Sequence, residues 1–246
     1  MLRVLPLLLV ALTLAASSTA QPTVDRDRAR VQVRNGWREM DREDWAAAAR
    51  DFQRATDIDR TFEDAFYGLG LAKVRLKHYG EAVLAYVKCR DLYRAHAGRR
   101  FSSEQDAQQH RRDRMVEIDD AIRQTQQGPQ NVRAQERLRQ LQEQRRQLQE
   151  AIRRGNDVTL GSDVPGYVYL GLGSAFFRLE QWEDAEREFK SAIEADGKLG
   201  EAYNNLAVVY LTTGRPAEAE HAVTSAEKAG YRVSPGLKDE IKKNRS

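Results

Sequence analysis

The 246-residue chain has one cysteine, six prolines and no surplus of either charge, with 40 Lys and Arg against 37 Asp and Glu. One cysteine cannot close a disulfide within the chain, so Cys89 reads as a small buried packing residue rather than a nucleophile or redox centre. The near-balance of charge, +3 overall, excludes a polyanion-binding surface as the organising feature and points instead to a well-solvated exterior. Histidines are few: His78, His96, His110 and His221 are scattered and form no ligand pair. Aromatics are absent from the stretch between Ser102 and Val164, which removes the platform on which nucleic-acid bases would stack. Gly68-Leu69-Gly70 and Gly171-Leu172-Gly173 mimic the start of a dinucleotide fingerprint, but Lys73 and Phe176 stand where the third glycine is needed and no strand is predicted before either. Asp157 and Asp163 lack the alternating spacing of a calcium loop. No serine comes with a base and an oxyanion site, so no catalytic residue, cofactor or metal ligand is assigned.

Long apolar runs are also missing after the first 20 residues. Arg3, the run from Val4 to Ala16 and the small residues Ser18-Thr19-Ala20 describe a secretory signal over residues 1–20, with cleavage expected after Ala20. The run is shorter than the roughly 20 residues of a spanning helix and contains Pro6, so no stable membrane insertion is expected after cleavage. The expected location is periplasmic or extracellular. The polar stretch 21–30 is expected to be flexible.

What the chain does have is a repeat. Gly36, Trp45, Ala48, Phe52 and Ala55 recur 34 residues later as Gly70, Tyr79, Ala82, Tyr86 and Cys89. Near the C-terminus, Gly173, Ala185 and Ala192 recur at the same spacing as Ala207, Ala219 and Ala226. A period of 34 suits two short helices and two turns, and neither helix is long enough to be stable alone. The small residues let antiparallel helices approach while the aromatics fill the gaps between them. In sequence these four units, residues 31–96 and 166–233, resemble tetratricopeptide repeats. The resemblance rests on Phe66, Leu69, Gly70, Tyr79, Ala82, Tyr86 and Cys89, on Tyr169, Leu172, Gly173, Phe176, Trp182, Ala185, Phe189 and Ala192, and on Tyr203, Leu206, Ala207, Tyr210, Ala219 and Ala226, with Pro216 replacing the turn aromatic. It implies an all-α, TPR-like helical-repeat solenoid. Residues 234–246 supply a short capping helix with Leu237 and Ile241 on one face.

Residues 97–165 interrupt the repeats. Continuing the register would put Glu104, Val116 and Arg123, then Leu138, Glu150 and Asp157, where small residues belong. Instead, Met115, Ile118 and Ile122 follow a capping Ser102 or Ser103, and Gly128-Pro129 stops that helix. Ala134, Leu138, Leu141, Leu148 and Ile152 form a second apolar seam, broken by Arg145 and ending at Gly155. An antiparallel coiled-coil hairpin is predicted, roughly 35 to 40 Å long. Glu117, Asp119, Asp120, Glu136, Glu143 and Glu150 interrupt its arginines, which reads as a solvated surface laced with charge pairs and not as a nucleic-acid arm.

The resemblance also implies a concave groove lined by the first helix of each repeat. Its groove positions fall here on Val33, Trp37 and Asp41, on Tyr67, Leu71 and Arg75, on Leu170, Ser174 and Arg178, and on Asn204, Val208 and Thr212. The expected function is that of a non-enzymatic scaffold binding a peptide or protein segment in this groove, with the hairpin as spacer or second contact surface. The alternatives are a homo-oligomer assembled through the hairpin or, third, an enzyme whose site is not apparent. A clamp for a terminal carboxylate is not supported: Asn205 suits one position, but Val33 and Trp37 stand where a cation and an asparagine are required.

Overall fold

A computed structural model of the protein describes residues 21–97, 104–128, 132–154 and 164–245. The expected signal, the linker residues 155–163 with Asp157 and Asp163, and Ser102, Ser103, Pro129 and Gly155 lie outside the described residues. The described residues are all-helical: α1 (Gln21–Asp41), α2 (Trp45–Ile58), α3 (Glu63–Arg75), α4 (Tyr79–Ala97), α5 (Glu104–Gln127), α6 (Val132–Arg154), α7 (Gly166–Arg178), α8 (Trp182–Ala195), α9 (Gly200–Thr212), α10 (Pro216–Lys228) and α11 (Pro235–Arg245).

The chain reverses within each repeat by one device. Glu43, Lys77, Glu180 and Gly214 occupy the same repeat position, and all take a positive φ between 60° and 73°. The following amide reaches back to the helix just ended, as in Asp44 N to Glu39 O at 3.0 Å and Arg215 N to Tyr210 O at 2.8 Å. This closes the last turn in Schellman fashion and lets the second helix start two residues later. A different device joins one repeat to the next. Asp59 Oδ1 accepts from Thr61 N, and Asp196 Oδ1 from Lys198 N, which ends α2 and α8 at 14 residues each. Tyr93 stands at the equivalent position in the second repeat, and α4 runs on to 19 residues. The insertion begins where that aspartate turn is missing.

Aromatic rings fitted against glycines hold the solenoid together. A Cβ at Gly36 or Gly68 would lie 2.8 or 2.3 Å from the Phe52 ring, so this ring is gripped by glycines of its own repeat and of the next. Tyr86 sits in the same way between Gly70 and Gly171, at 2.7 and 2.8 Å. Because Gly171 belongs to α7, the second repeat packs directly on the third, and Ala82, Tyr86, Leu172 and Ala175 share one core. Cys89, Tyr93, Val164, Tyr167 and Val168 continue it. Burial pushes the Cys89 thiol well up, with Glu63 and Asp64 adding to the effect. The solenoid is therefore continuous across the insertion. At the far end, α11 buries Ile241 against α9 and α10, with Lys238 paired to Glu227 and Arg245 to Glu220.

Gly68→Ala is expected to destabilise the protein by about 1–3 kcal/mol, since the Phe52 ring is fully buried and overpacking outweighs a helix-propensity gain of about 1 kcal/mol. Gly80→Ala, which meets nothing within 4 Å, should be neutral or slightly stabilising. Urea midpoints of the two variants measure the difference. A destabilised Gly80→Ala, or a neutral Gly68→Ala, would contradict the packing described.

Two sequence expectations are corrected. Residues 21–30 are not a flexible lead-in: α1 starts at Gln21, Ala29 is fully buried, and the Arg26 guanidinium lies 4.0 Å from the Phe62 ring centre. The hairpin α5–α6 does not stand away from the repeats as a spacer. It folds back onto α1, α3 and the start of α7.

Candidate protein-interaction groove

Helices α1, α3, α7 and α9 are the first helices of the four repeats, and the twelve expected groove residues lie on them. The structure divides these residues into three groups. Val33 and Leu170 are 7% and 8% exposed and belong to the core, so they are withdrawn as ligand contacts. Their repeat equivalents Tyr67 and Asn204 stay half-buried, so it is the aliphatic side chains of Val33 and Leu170 that turn into the core at this position. Trp37, Asp41, Tyr67 and Leu71 are half-buried on α1 and α3. Ser174, Asn204 and Val208 are half-buried on α7 and α9, while Arg75, Arg178 and Thr212 are exposed.

Several of these polar groups are already engaged. The Ser174 hydroxyl donates to Leu170 O at 2.8 Å, and Thr212 to Val208 O at 2.9 Å. Asn204 Nδ2 lies 3.4 Å from Asn205 Oδ1. Arg75 turns toward α2, its guanidinium 5.5 Å from the centre of the Trp45 ring.

The Trp37–Tyr67 end of this row is covered by α6. Trp37 packs edge-on against Phe52 at 5.2 Å and tilts against Tyr67 at 6.4 Å, and Tyr67 meets the edge of Tyr167 at 4.7 Å. Across this aromatic floor lies α6. The Arg137 guanidinium sits 3.3 Å above the centre of the Trp37 ring, Leu141 is buried beside Tyr67, and Gln144 Nε2 donates to the Tyr167 hydroxyl at 2.8 Å. Asp64, Tyr67, Arg137, Leu141, Gln144 and Tyr167 enclose a gap of about 10 Å³, room for a single water. Burial lowers the Arg137 pKa from its ordinary value, while Asp64, Tyr67, Tyr167 and Asp41 act in the opposite sense.

Helix α5 fastens the other side. Glu117 Oε1 receives Arg30 Nη2 at 2.6 Å and Arg26 Nε at 3.2 Å, and its Oε2 receives Arg114 Nη1 at 2.9 Å. Arg26 also reaches Asp59 at 3.0 Å and Glu63 at 3.2 Å, which ties α1, the α2–α3 turn, α3 and α5 into one cluster. Burial would push the Glu117 carboxyl up, but Arg114, Arg26 and Arg30 outweigh it and hold the pKa down at about 2. Arg114 Nη2 donates to the Tyr93 hydroxyl at 3.2 Å, and that hydroxyl lies 3.0 Å from Tyr167 Oη. A chain of polar contacts thus runs from α5 through α4 and α7 to Gln144 on α6.

The repeat geometry agrees with the comparison by sequence. The family model described as tetratricopeptide repeat matches residues 170–232. This segment, which spans α7 to α10, is similar to tetratricopeptide repeats. The described residues have the corresponding all-α, TPR-like solenoid fold. Among solved structures, it is similar to the MamA protein at 14% identity, covering 89% of this chain and 88% of that one, with a TM-score of 0.49. It is similar to PilW, a type IV pilus biogenesis factor, at 13% identity over 89% and 86% of the two chains, TM-score 0.41. A third similarity is to a thermophilic TPR protein of Thermus thermophilus, at 18% identity over 88% and 98%, TM-score 0.37. No curated protein sequence matches the chain.

A tetratricopeptide-repeat solenoid is consistent with a protein-interaction scaffold. Among the described residues no group of three or more His, Cys, Asp or Glu is placed to hold a metal ion, and no helix is long and apolar enough to cross a membrane. Arg137, Leu141 and Gln144, which lie over the Trp37–Tyr67 end, and Arg114 and Glu117, which fasten α5, were not singled out by the sequence as contacts of the repeats. Arg137, Leu141 and Gln144 share one face of α6, a spacing visible in the sequence, but nothing in the sequence says which surface that face meets.

Proposed function

We propose that the protein is a non-enzymatic scaffold, exported to the periplasm or cell exterior, that binds a protein segment along the concave groove of its tetratricopeptide repeats. The observation that supports this reading is a helical row with half-buried aromatics at Trp37 and Tyr67, continued by Asn204, Val208, Arg178 and Thr212 at partly or fully exposed positions. An aromatic and aliphatic floor with polar groups at its margins suits a peptide or helix better than a small molecule, which needs a deeper enclosure.

The test is crosslinking with mass spectrometry in the native envelope, comparing wild type with the double variant Arg178→Glu and Val208→Asp. The variant should lose at least tenfold in recovered partner while keeping its helicity, and the recovered protein should begin at Gln21. Unchanged recovery by a folded variant would remove the groove as the binding surface.

A further inference from the structure

The geometry points to a specific class of partner: an amphipathic helix carrying a cation, an aliphatic residue four positions later and an amide three positions after that, which takes the place of α6. This rests on the scaffold reading and adds what the groove recognises. Arg137, Leu141 and Gln144 lie at i, i+4 and i+7, the spacing with which a helix presents one face to a groove. Each meets a matching element of the repeats: Arg137 the π-face of Trp37, Leu141 the side of Tyr67, and Gln144 the Tyr167 hydroxyl. Asp64 and Asp41 add negative charge facing Arg137, so the complementarity is for a cationic helix.

Two features mark α6 as a replaceable occupant. The hairpin meets the repeats largely through long side chains, Arg26, Arg30, Arg114, Glu117, Arg137 and Gln144. The Trp37 Nε1 hydrogen is buried with no acceptor among the described residues. An incoming helix that places a carboxylate or amide oxygen in the plane of the indole would satisfy that donor. A group already filling the groove lowers apparent affinity by the fraction of time the groove is empty.

The test uses the full chain and a fluorescent peptide of residues 132–154 as probe, with a scrambled peptide of the same charge as control. Arg137→Glu places an anion on the hairpin facing Asp64 and Asp41 and should displace α6. The variant is expected to bind the 132–154 peptide at least tenfold more tightly than wild type does. Adding Tyr167→Phe, which keeps the ring and removes the acceptor for Gln144, should weaken that binding about threefold. If Arg137→Glu reduces helicity, Gln144→Ala carries the test, with a gain of about threefold expected. No gain in a folded variant, or equal binding of the scrambled peptide, overturns the proposal. So does a variant that dimerises on dilution-reversible mass measurement and excludes the peptide, since a second copy would then be the occupant. Loss of partner in Arg178→Glu with Val208→Asp is unaffected by any of these outcomes, so the scaffold reading stands or falls separately.

Discussion

Tyr86→Ala is expected to cost about 3–5 kcal/mol and to split one unfolding transition into two, because this ring joins the halves of the solenoid. Tyr86 is 1% exposed and wedged between Gly70 of its own repeat and Gly171 of the next repeat in the chain, which follows the insertion. In a repeat protein, stability is the sum of unit and interface terms, so weakening one interface lets neighbouring units unfold separately. The glycines on either side cannot collapse inward to fill the space, since they have no side chains to move. Arg90 to Glu188 at 3.2 Å would remain as a link between the halves, partly buried and too weak to restore cooperativity alone. Hydrogen exchange followed segment by segment measures the effect: α1–α4 and α7–α10 should exchange with one common free energy in the wild type and with two in the variant. A single transition shifted by less than about 1 kcal/mol would mean that the contact does not couple the halves.

The same residue shows what was legible in the sequence. Tyr86 and Phe52 stand 34 residues apart, and the glycines they pack on recur with them, so period and contact are one fact seen twice. Packing of that kind is periodic and writes itself into the sequence. The hairpin is not periodic. Its two helices are readable from apolar spacing, and the break in the α6 seam at Arg145 is explained by its ion pair with Asp119 of α5 at 2.7 Å. Where the hairpin lies is decided by Arg26, Arg30, Arg114, Glu117 and Arg137, which in a chain rich in both charges look like any other solvated residues. The polar stretch 21–30 hides its order for the same reason. Arg26 and Arg30 hold it in place through partners about 90 residues away, and neither propensity nor periodicity carries that distance.

Loss of the Glu117 carboxylate is expected to release the hairpin from α1 at a cost of about 3 kcal/mol. Its side chain is 9% exposed and receives three guanidinium groups, those of Arg26, Arg30 and Arg114. Removing the shared anion leaves three like charges in one partly buried site. The figure is taken at the low end for a broken buried pair, because Arg26, Arg30 and Arg114 keep 20%, 28% and 16% of their exposure and retain Asp59, Asp27 and Asp64 as other partners. Acid should act in the same direction. The Glu117 pKa is depressed in the fold, from 4.5 to about 2, so its contribution is complete above pH 4.5 and is lost as pH falls toward 2. That depression corresponds to about 3 kcal/mol at neutral pH, with more than half gone by pH 3. In Glu117→Gln the side chain keeps its shape and loses its charge, so the hairpin of this variant should be loosened at pH 7 and show little further change on acidification to pH 3. Exchange protection of α5 and α6, compared with that of α9 and α10, separates release of the hairpin from general unfolding. Wild-type protection of α5 that holds constant from pH 6 to pH 3, after correction for the intrinsic exchange rate, would show that Glu117 does not fasten it.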